Sequence, residues 1–247
     1  MYSFSIGKYL SKSKTLLVTV VICLSWFIIA SFSYSVAKHI FHSNQTQMLI
    51  CANSLLIALG YIFCLSVVPI FLGYRNQLHV YWRDIGFTNF NGKSLLILFI
   101  FIGFTIAIGL ASREFHGIYA NKGPMITAIE PPLVEELMFR GIIMSLLLRR
   151  FSWWFSILWS SILFACIHIE LGSITYVIAA FIGALFVLSI LRLQSNNIWS
   201  GAFAHFAMIR GLARPVILAF TALEICIATY WWSKRLRDKF RDRQSSI

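Results

Sequence analysis

Acidic residues, and charged residues in general, are scarce in this chain. Only 9 of the 247 residues are Asp or Glu, and charged residues make up 12% of the sequence, against roughly 25% in soluble domains. Apolar stretches recur from one end to the other without a polar block long enough for a separate soluble domain. This composition excludes a water-soluble protein and predicts a single membrane domain over residues 1–247.

Cysteine motifs and internal repeats are also absent. Each of the five cysteines stands alone within an apolar run, without the CxxC spacing of a metal or redox site. Without an internal repeat, the sequence argues against a transporter built from inverted repeats. The net charge of +12 comes from basic residues between the apolar runs and in the tail 233–247, which is expected to be cytoplasmic. Loops that flank membrane spans carry such charge, so we expect no nucleic-acid partner.

Long apolar runs are what the chain has instead. A helix needs about 20 apolar residues to cross the hydrocarbon core, and these runs lack the alternation of barrel strands. The expected fold class is therefore all-α, a polytopic transmembrane helical bundle of about eight spans. The candidate spans are 15–36, 48–72, 94–112, 131–148, 152–169, 173–191, 197–212 and 215–232. The loop 73–93, with Tyr74, Tyr81 and Trp82, is expected to lie at the lipid headgroups.

Lys and Arg residues are distributed unequally over the two sides of these spans. When both termini are placed in the cytoplasm, most of the basic residues between the spans lie on the inside. Short loops on the cytoplasmic side of a membrane carry an excess of Lys and Arg. The sequence therefore predicts a multi-pass protein of the cell membrane with cytoplasmic termini.

Ionisable residues within the fourth span are candidates for a functional site. An ionised group at the bilayer centre costs about 2.5–3.5 kcal/mol on insertion scales, so it is normally paired or faces a polar cavity. The span contains Glu135, Glu136 and Arg140 soon after Pro131 and Pro132, which favour the start of a helix. Because Arg140 follows Glu136 by four residues, we expect these two to form an ion pair. Glu135 points about 100° away and needs a partner from another helix.

Two histidines in other spans are candidates for that partner. His168 closes the fifth span, and His205 lies within the seventh. One carboxylate and two imidazoles from three helices can position and deprotonate a water molecule, directly or on a metal ion. Two His and a carboxylate are also a ligand set of catalytic zinc. The same groups are compatible with a buried ion network that only fixes helix packing, or with a proton relay in a transporter.

The order of these motifs resembles that of the CPBP intramembrane metalloprotease family. That family includes the CAAX-processing endopeptidases and the Abi-type proteins of bacteriocin processing or immunity. The resemblance is carried by the fourth-span motif, by Phe164 four residues before His168, and by the later His205, within residues 124–210. It implies an eight-helix fold with an intramembrane catalytic cavity. It also implies a metalloendopeptidase-type protease that cleaves a peptide or protein tail at the lipid bilayer.

The resemblance further implies roles for the residues. Glu135 would be the general base, and His168 and His205 would polarise the attacking water or hold a metal ion. Glu136 and Arg140 would orient the site. Two alternatives follow for the cofactor: zinc held by the two histidines, with or without Glu135, or activation of water without a metal.

Ile209 departs from the family pattern. The family places Asn four residues after the last histidine, where its amide can stabilise an oxyanion, whereas Ile209 has no side-chain donor. Loss of one such donor costs about 10² to 10³ in rate in other enzymes. The alternative function is therefore a catalytically weak or inactive family member that acts as a bacteriocin immunity protein or as a membrane scaffold for a partner.

Overall fold

The computed structural model describes residues 10–42, 44–88, 132–169 and 174–210. Within these ranges the chain is helical and has no β-strand, which confirms the all-α class. The helices are α1 (Lys12–Ile40), α2 (45–71), α3 (Leu78–Asp84), α4 (132–148), α5 (Trp153–Cys166), α6 (174–195) and α7 (Trp199–Arg210). Three of them contain a π-helical part: Gln45–Ile62 of α2 continues as the π-helical Phe63–Val67 and the α-helical Val68–Phe71, and Ile174–Gly183 of α6 continues as the π-helical Ala184–Leu188 and the α-helical Ser189–Ser195. In α4 the π-helical part is Leu137–Ile143, and the α-helical Met144–Leu148 follows it.

Long apolar helices within the described residues make this chain a membrane protein. Those long and apolar enough to cross a bilayer are Lys12–Ile40, Gln47–Phe71 and Val177–Ser195, of 29, 25 and 19 residues. Helix α5 is apolar but shorter. The predicted spans 94–112 and 215–232 and the tail 233–247 lie outside the described residues, so the expected total of eight spans stays a prediction.

The fourth predicted span agrees with the structure at its end, whereas the fifth is shorter in the structure than predicted. Helix α4 is helical from Pro132, where the described range starts, and ends at Leu148, in agreement with the end of the predicted span 131–148. Helix α5 ends earlier than the predicted span 152–169, at Cys166. The amide of His168 donates to the carbonyl of Ala165 at 3.0 Å, a turn rather than a helical bond. His168 therefore lies in the turn after α5 and not within the helix.

Helix α4 forms the centre of the described core. Every residue of its π-helical part, Leu137–Ile143, is buried, and the helix packs against α1, α2 and α5. A helix that is apolar all round is expected to lie inside a bundle rather than at its edge. Arg140 is the charged exception in this part of α4, and it is as fully buried as its neighbours.

The π-helical turns accept hydrogen bonds from other helices. Tyr81 of α3 donates from its hydroxyl to the carbonyl of Cys64 at 2.6 Å, and Ser160 of α5 donates to the carbonyl of Phe139 at 3.0 Å. A π-helical turn interrupts the regular hydrogen-bond ladder, which leaves room for a donor from a side chain. These two bonds join α3 to α2 and α5 to α4.

The segment 73–88 is packed into one end of the bundle. Tyr74 and Tyr81 are only 2% and 1% exposed, so their rings lie inside the protein. The reason is that both hydroxyls find partners inside the protein: Tyr74 donates to Asp84 Oδ2 at 3.2 Å, as does Arg149 from Nη2 at 3.3 Å. Burial raises the pKa of the Asp84 carboxyl, and the Arg149 guanidinium opposes that shift.

Candidate active site

Glu136 and Arg140 form a buried pair on α4. Arg140 Nη1 lies 3.0 Å from Glu136 Oε1, and both side chains have no exposed surface. The ion pair predicted from the spacing of four residues is therefore confirmed. Within the described part of the chain, none of the three Arg140 nitrogens and neither Glu136 oxygen has a partner in hydrogen-bond geometry. The pair is thus held by charge rather than by well-aligned hydrogen bonds.

The ring of Phe164 lies between the polar residues of the site. Arg140 Cζ is 4.3 Å from the centroid of this ring, a distance at which a cation and an aromatic face attract each other. The imidazoles of His168 and His205 lie 4.6 and 5.5 Å from the same centroid. Phe164 therefore contacts the arginine and both histidines. The motif spacing identified Phe164 but did not reveal this central position.

His205 of α7 contacts both glutamates of α4. Its Nδ1 lies 3.3 Å from Glu136 Oε1, and its Nε2 lies 3.7 Å from Glu135 Oε2. Glu135 thus meets a residue from another helix, as its position on α4 required. The Glu135 side chain is 14% exposed, whereas that of Glu136 has no exposed surface. Of the two carboxylates, Glu135 is the one that a molecule from outside the bundle can reach.

His168 is oriented by the helix that precedes it. Its Nδ1 lies 2.8 Å from the carbonyl oxygen of Phe164. Because a carbonyl oxygen can only accept, this contact places the imidazole proton on Nδ1. The other nitrogen, Nε2, then carries the lone pair and is suited to accept a proton or to bind a metal ion. The structure thus brings His168, from the turn after α5, and His205, from α7, to the same aromatic ring.

Gly201 allows α7 to approach Glu136. It precedes His205 by four residues, so both lie on one face of α7. A Cβ atom at Gly201 would lie 2.6 Å from Glu136 Oε2, which is closer than van der Waals contact permits. A larger residue here would therefore require the Glu136 carboxylate to move. Gly201 was missed from the sequence, although a small residue one turn before His205 was a visible signal.

The described donors do not by themselves form a zinc site. Among residues 10–42, 44–88, 132–169 and 174–210, no group of three or more His, Cys, Asp or Glu side chains is arranged to hold a metal ion. Catalytic zinc takes three protein ligands and a water molecule. The roles predicted for His168, His205 and Glu135 as ligands therefore stay predictions, and no chemical step is derived through a metal.

Comparison with known protein families gives a match. Residues 123–209 match the family of type II CAAX prenyl endopeptidases, Rce1-like, which is a family of proteases. That segment contains Glu135, Glu136, Arg140, His168 and His205. No curated protein and no solved structure matches the chain. The matched segment covers about a third of the chain and contains the motifs in the order seen in the sequence, which supports the resemblance of this segment to the CPBP/CAAX protease family.

Proposed function

We propose that this protein is an intramembrane endopeptidase that depends on glutamate and histidine and cleaves a peptide or protein tail at the membrane. The observation that carries the proposal is the contact of Glu135 on α4 with His205 on α7, inside the segment that matches a protease family. A carboxylate that is partly exposed beside an imidazole is suited to remove a proton from water. The buried pair next to it supplies fixed charges that orient the imidazole.

In the proposed reaction, Glu135 accepts a proton from a water molecule while the water oxygen bonds to the carbonyl carbon of the scissile peptide. His168 and His205 polarise that water and the carbonyl, and the carbonyl oxygen becomes an oxyanion. When the carbon–nitrogen bond breaks, the proton held by Glu135 passes to the leaving nitrogen. The glutamate is thereby restored, so that it acts first as a base and then as an acid.

Glu136 and Arg140 orient the site in this proposal and do not react. Glu136 Oε1 is 3.0 Å from Arg140 Nη1 and 3.3 Å from His205 Nδ1, so one oxygen is shared by both. A carboxylate beside one imidazole nitrogen favours a proton there and leaves the other nitrogen to act on the substrate side. Since Nε2 of His205 faces Glu135, the pair would direct the imidazole toward the base.

The position of the site along α4 bears on the substrate. The end of the bundle where α1 begins and α4 ends is basic: Lys12 Nζ lies 6.0 Å from the ring of Phe151, and Arg149 contacts Asp84. Glu135 lies at the opposite end of α4, roughly 20 Å along the helix axis. We propose that the basic end is cytoplasmic, with both termini on that side of the cell membrane. An exported peptide would then be the substrate, rather than a prenylated tail in the cytosol.

Cleavage of peptides by the purified protein tests this function. The protein would be reconstituted into liposomes and incubated with an unmodified apolar peptide and with a prenylated C-terminal tail, and products would be identified by mass spectrometry. We expect the wild type to cleave the unmodified peptide and the Glu135→Ala and His168→Ala variants to cleave neither. Cleavage that survives both substitutions would rule out the proposed site.

The same preparation separates the two proposals for the cofactor. Cleavage that is unchanged by a chelator, in protein that contains no stoichiometric zinc, supports activation of water by Glu135 alone. Cleavage that is lost on chelation and restored by zinc supports the alternative in which His168 and His205 hold the metal.

A second candidate function is that of a catalytically weak family member that acts as an immunity protein or as a membrane scaffold. Ile209 is the observation that favours it. The residue lies in α7 one turn after His205, at the position where the family pattern has an asparagine.

Replacing Ile209 by asparagine is expected to raise kcat about 10²-fold, since one oxyanion donor contributes about 10² to 10³ in rate elsewhere. The measurement is the rate of peptide cleavage at saturating substrate, with Ile209→Leu as the apolar control of similar size. An unchanged kcat in Ile209→Asn would contradict a role for this position at the oxyanion. Protection of cells against a peptide bacteriocin that persists in Glu135→Gln would favour the second function.

A further inference from the structure

Arg192, near the end of α6, is a buried cation outside the candidate active site. It is 5% exposed, and its hydrogen bonds join three parts of the chain. The guanidinium donates to Arg140 O at 3.1 Å, to Ser145 Oγ at 3.2 Å, to Asn196 Oδ1 at 3.3 Å and to Asp84 O at 3.4 Å. These acceptors are all neutral, so none of the four bonds is an ion pair. Together they connect Arg192 to α4, to the end of α3 and to the turn between α6 and α7.

The bond from Arg192 Nε to Arg140 O lies within the π-helical part of α4. The carbonyl one residue earlier, that of Phe139, accepts a hydrogen bond from Ser160 of α5. Two consecutive carbonyls of this turn are therefore bound by side chains of other helices. These two bonds hold the backbone at Arg140, and the Arg140 side chain lies 3.0 Å from that of Glu136.

The backbone around Arg192 is shaped to admit the guanidinium. Gly86 has a φ of +77°, and a Cβ there would lie 2.9 Å from both Cζ and Nη1 of Arg192. Asn196, which caps α6, has a φ of +54°, and its amide donates to Arg192 O at 3.0 Å. The carbonyl of Gly86 in turn accepts the amide of Ile198 at 3.3 Å. Left-handed backbone is unfavourable for residues other than glycine, so this turn is held in place by its surroundings.

We propose that Arg192 is a positioning residue that acts on the Glu136–Arg140 pair through the backbone of Arg140. Its bond to Arg140 O holds the π-helical turn in the register that directs the Arg140 side chain to Glu136. When this bond is lost, the turn can return to regular α-helical geometry, which changes the direction of the Arg140 side chain. The kinetic consequence of this proposal rests on the proposed function, whereas the coupling between Arg192 and Arg140 does not.

A double-mutant cycle on the purified protein tests this coupling. Arg192→Ala is expected to lower kcat about 10²-fold with KM changed by less than about twofold, because a small misplacement of a catalytic group has an effect of that size. In an Arg140→Ala background the same substitution is expected to change kcat by less than about twofold, since the residue through which it acts is gone. Equal losses in both backgrounds would overturn the proposal and leave Arg192 a packing residue.

Arg192→Lys keeps the positive charge and is the second variant, to be measured if Arg192→Ala does not fold. The lysine ammonium can approach the positions of the guanidinium Nη atoms, but it supplies no donor at the position of Nε. We therefore expect the unfolding temperature to recover toward that of the wild type while kcat stays low. A kcat equal to that of the wild type in Arg192→Lys would overturn the proposal.

Arg149→Ala is the matched control for loss of an arginine at this end of the bundle. Its guanidinium bonds to Asp84 Oδ2 at 3.3 Å, and Asp84 also receives a bond from Arg192 through its carbonyl oxygen. We expect a lower unfolding temperature and an unchanged kcat. A loss of kcat as large as that of Arg192→Ala would overturn the proposal, since general loosening of this end would then explain both variants.

Failure of the proposed function is distinguishable from failure of this inference. A wild type that cleaves no peptide contradicts the proposed function, and the cycle between Arg192→Lys and Arg140→Ala is then measured through unfolding temperatures in detergent. The shift of the double variant is expected to be smaller than the sum of the two single shifts. Additive shifts would overturn the coupling.

Discussion

Replacing Glu135 by glutamine is expected to lower kcat about 10³-fold and to leave the stability of the protein nearly unchanged. Glutamine keeps the shape of the side chain but cannot accept a proton, and general acid–base catalysis contributes about 10² to 10⁴ in rate. The contact between Glu135 Oε2 and His205 Nε2 is long, at 3.7 Å, and the Glu135 side chain is 14% exposed. Loss of a partly exposed ionic contact of this kind has only a small effect on stability. The measurement is kcat on one peptide, together with the unfolding temperature.

Glu135→Asp is the control for this prediction. It keeps the carboxylate but withdraws it by one methylene group, so we expect a rate between those of the wild type and Glu135→Gln. If Glu135→Gln cleaved the peptide at the rate of the wild type, the Glu135 carboxylate would not be the base. The buried network would then be a packing device, which was one of the alternatives compatible with the sequence.

Replacing Glu136 by glutamine is expected to destabilise the protein by about 3–5 kcal/mol, the usual consequence of removing one partner from a buried ion pair. Arg140 has no exposed surface, and Glu136 Oε1 lies 3.0 Å from its Nη1. Without the carboxylate, the guanidinium still lies 4.3 Å from the ring centroid of Phe164, but an aromatic ring attracts a cation less strongly than a carboxylate does. The measurement is the free energy of unfolding of the purified protein in mixed detergent micelles.

The double variant Glu136→Gln/Arg140→Met is the control for that prediction. It removes the buried charge together with its partner, and replacement of a buried pair by groups of similar volume is often neutral or stabilising. We therefore expect the double variant to regain most of the stability that Glu136→Gln loses. If Glu136→Gln were as stable as the wild type, the proposed electrostatic role of the pair would be wrong.

Local spacing explains which parts of this site were predictable. The Glu136–Arg140 pair was predictable because residues four apart on one helix lie on the same face whatever the helix packs against. Helical structure from Pro132 onward was predictable for a similar reason, since the missing amide hydrogens of proline are tolerated in the first turn of a helix. The end of α5 was not, because apolar residues continue into the turn that contains His168, with Ile167 and Ile169 on either side of it.

Contacts between helices account for what was missed. Gly201 and Arg192 carry no motif, and their importance comes from Glu136 and Arg140, which are more than 50 residues away in the sequence. The loop 73–93 was predicted to lie at the headgroups from its aromatic and basic residues, and that depth stays a prediction. Tyr74 and Tyr81 are buried within the protein, where Asp84 and the carbonyl of Cys64 accept hydrogen bonds from their hydroxyls. Spacing along the chain cannot reveal such acceptors.

The sequence by itself determined that this is a helical membrane protein with a few ionisable residues inside apolar helices. Composition and local periodicity are sufficient for that, because lipid tolerates few charges and requires helices to satisfy the backbone. Only the tertiary structure decided that His205 meets both Glu135 and Glu136, and that Phe164 lies among the polar groups. It also brought Arg192 to the backbone of Arg140. Those contacts depend on how separate helices pack, and packing is set by side chains far apart in the sequence.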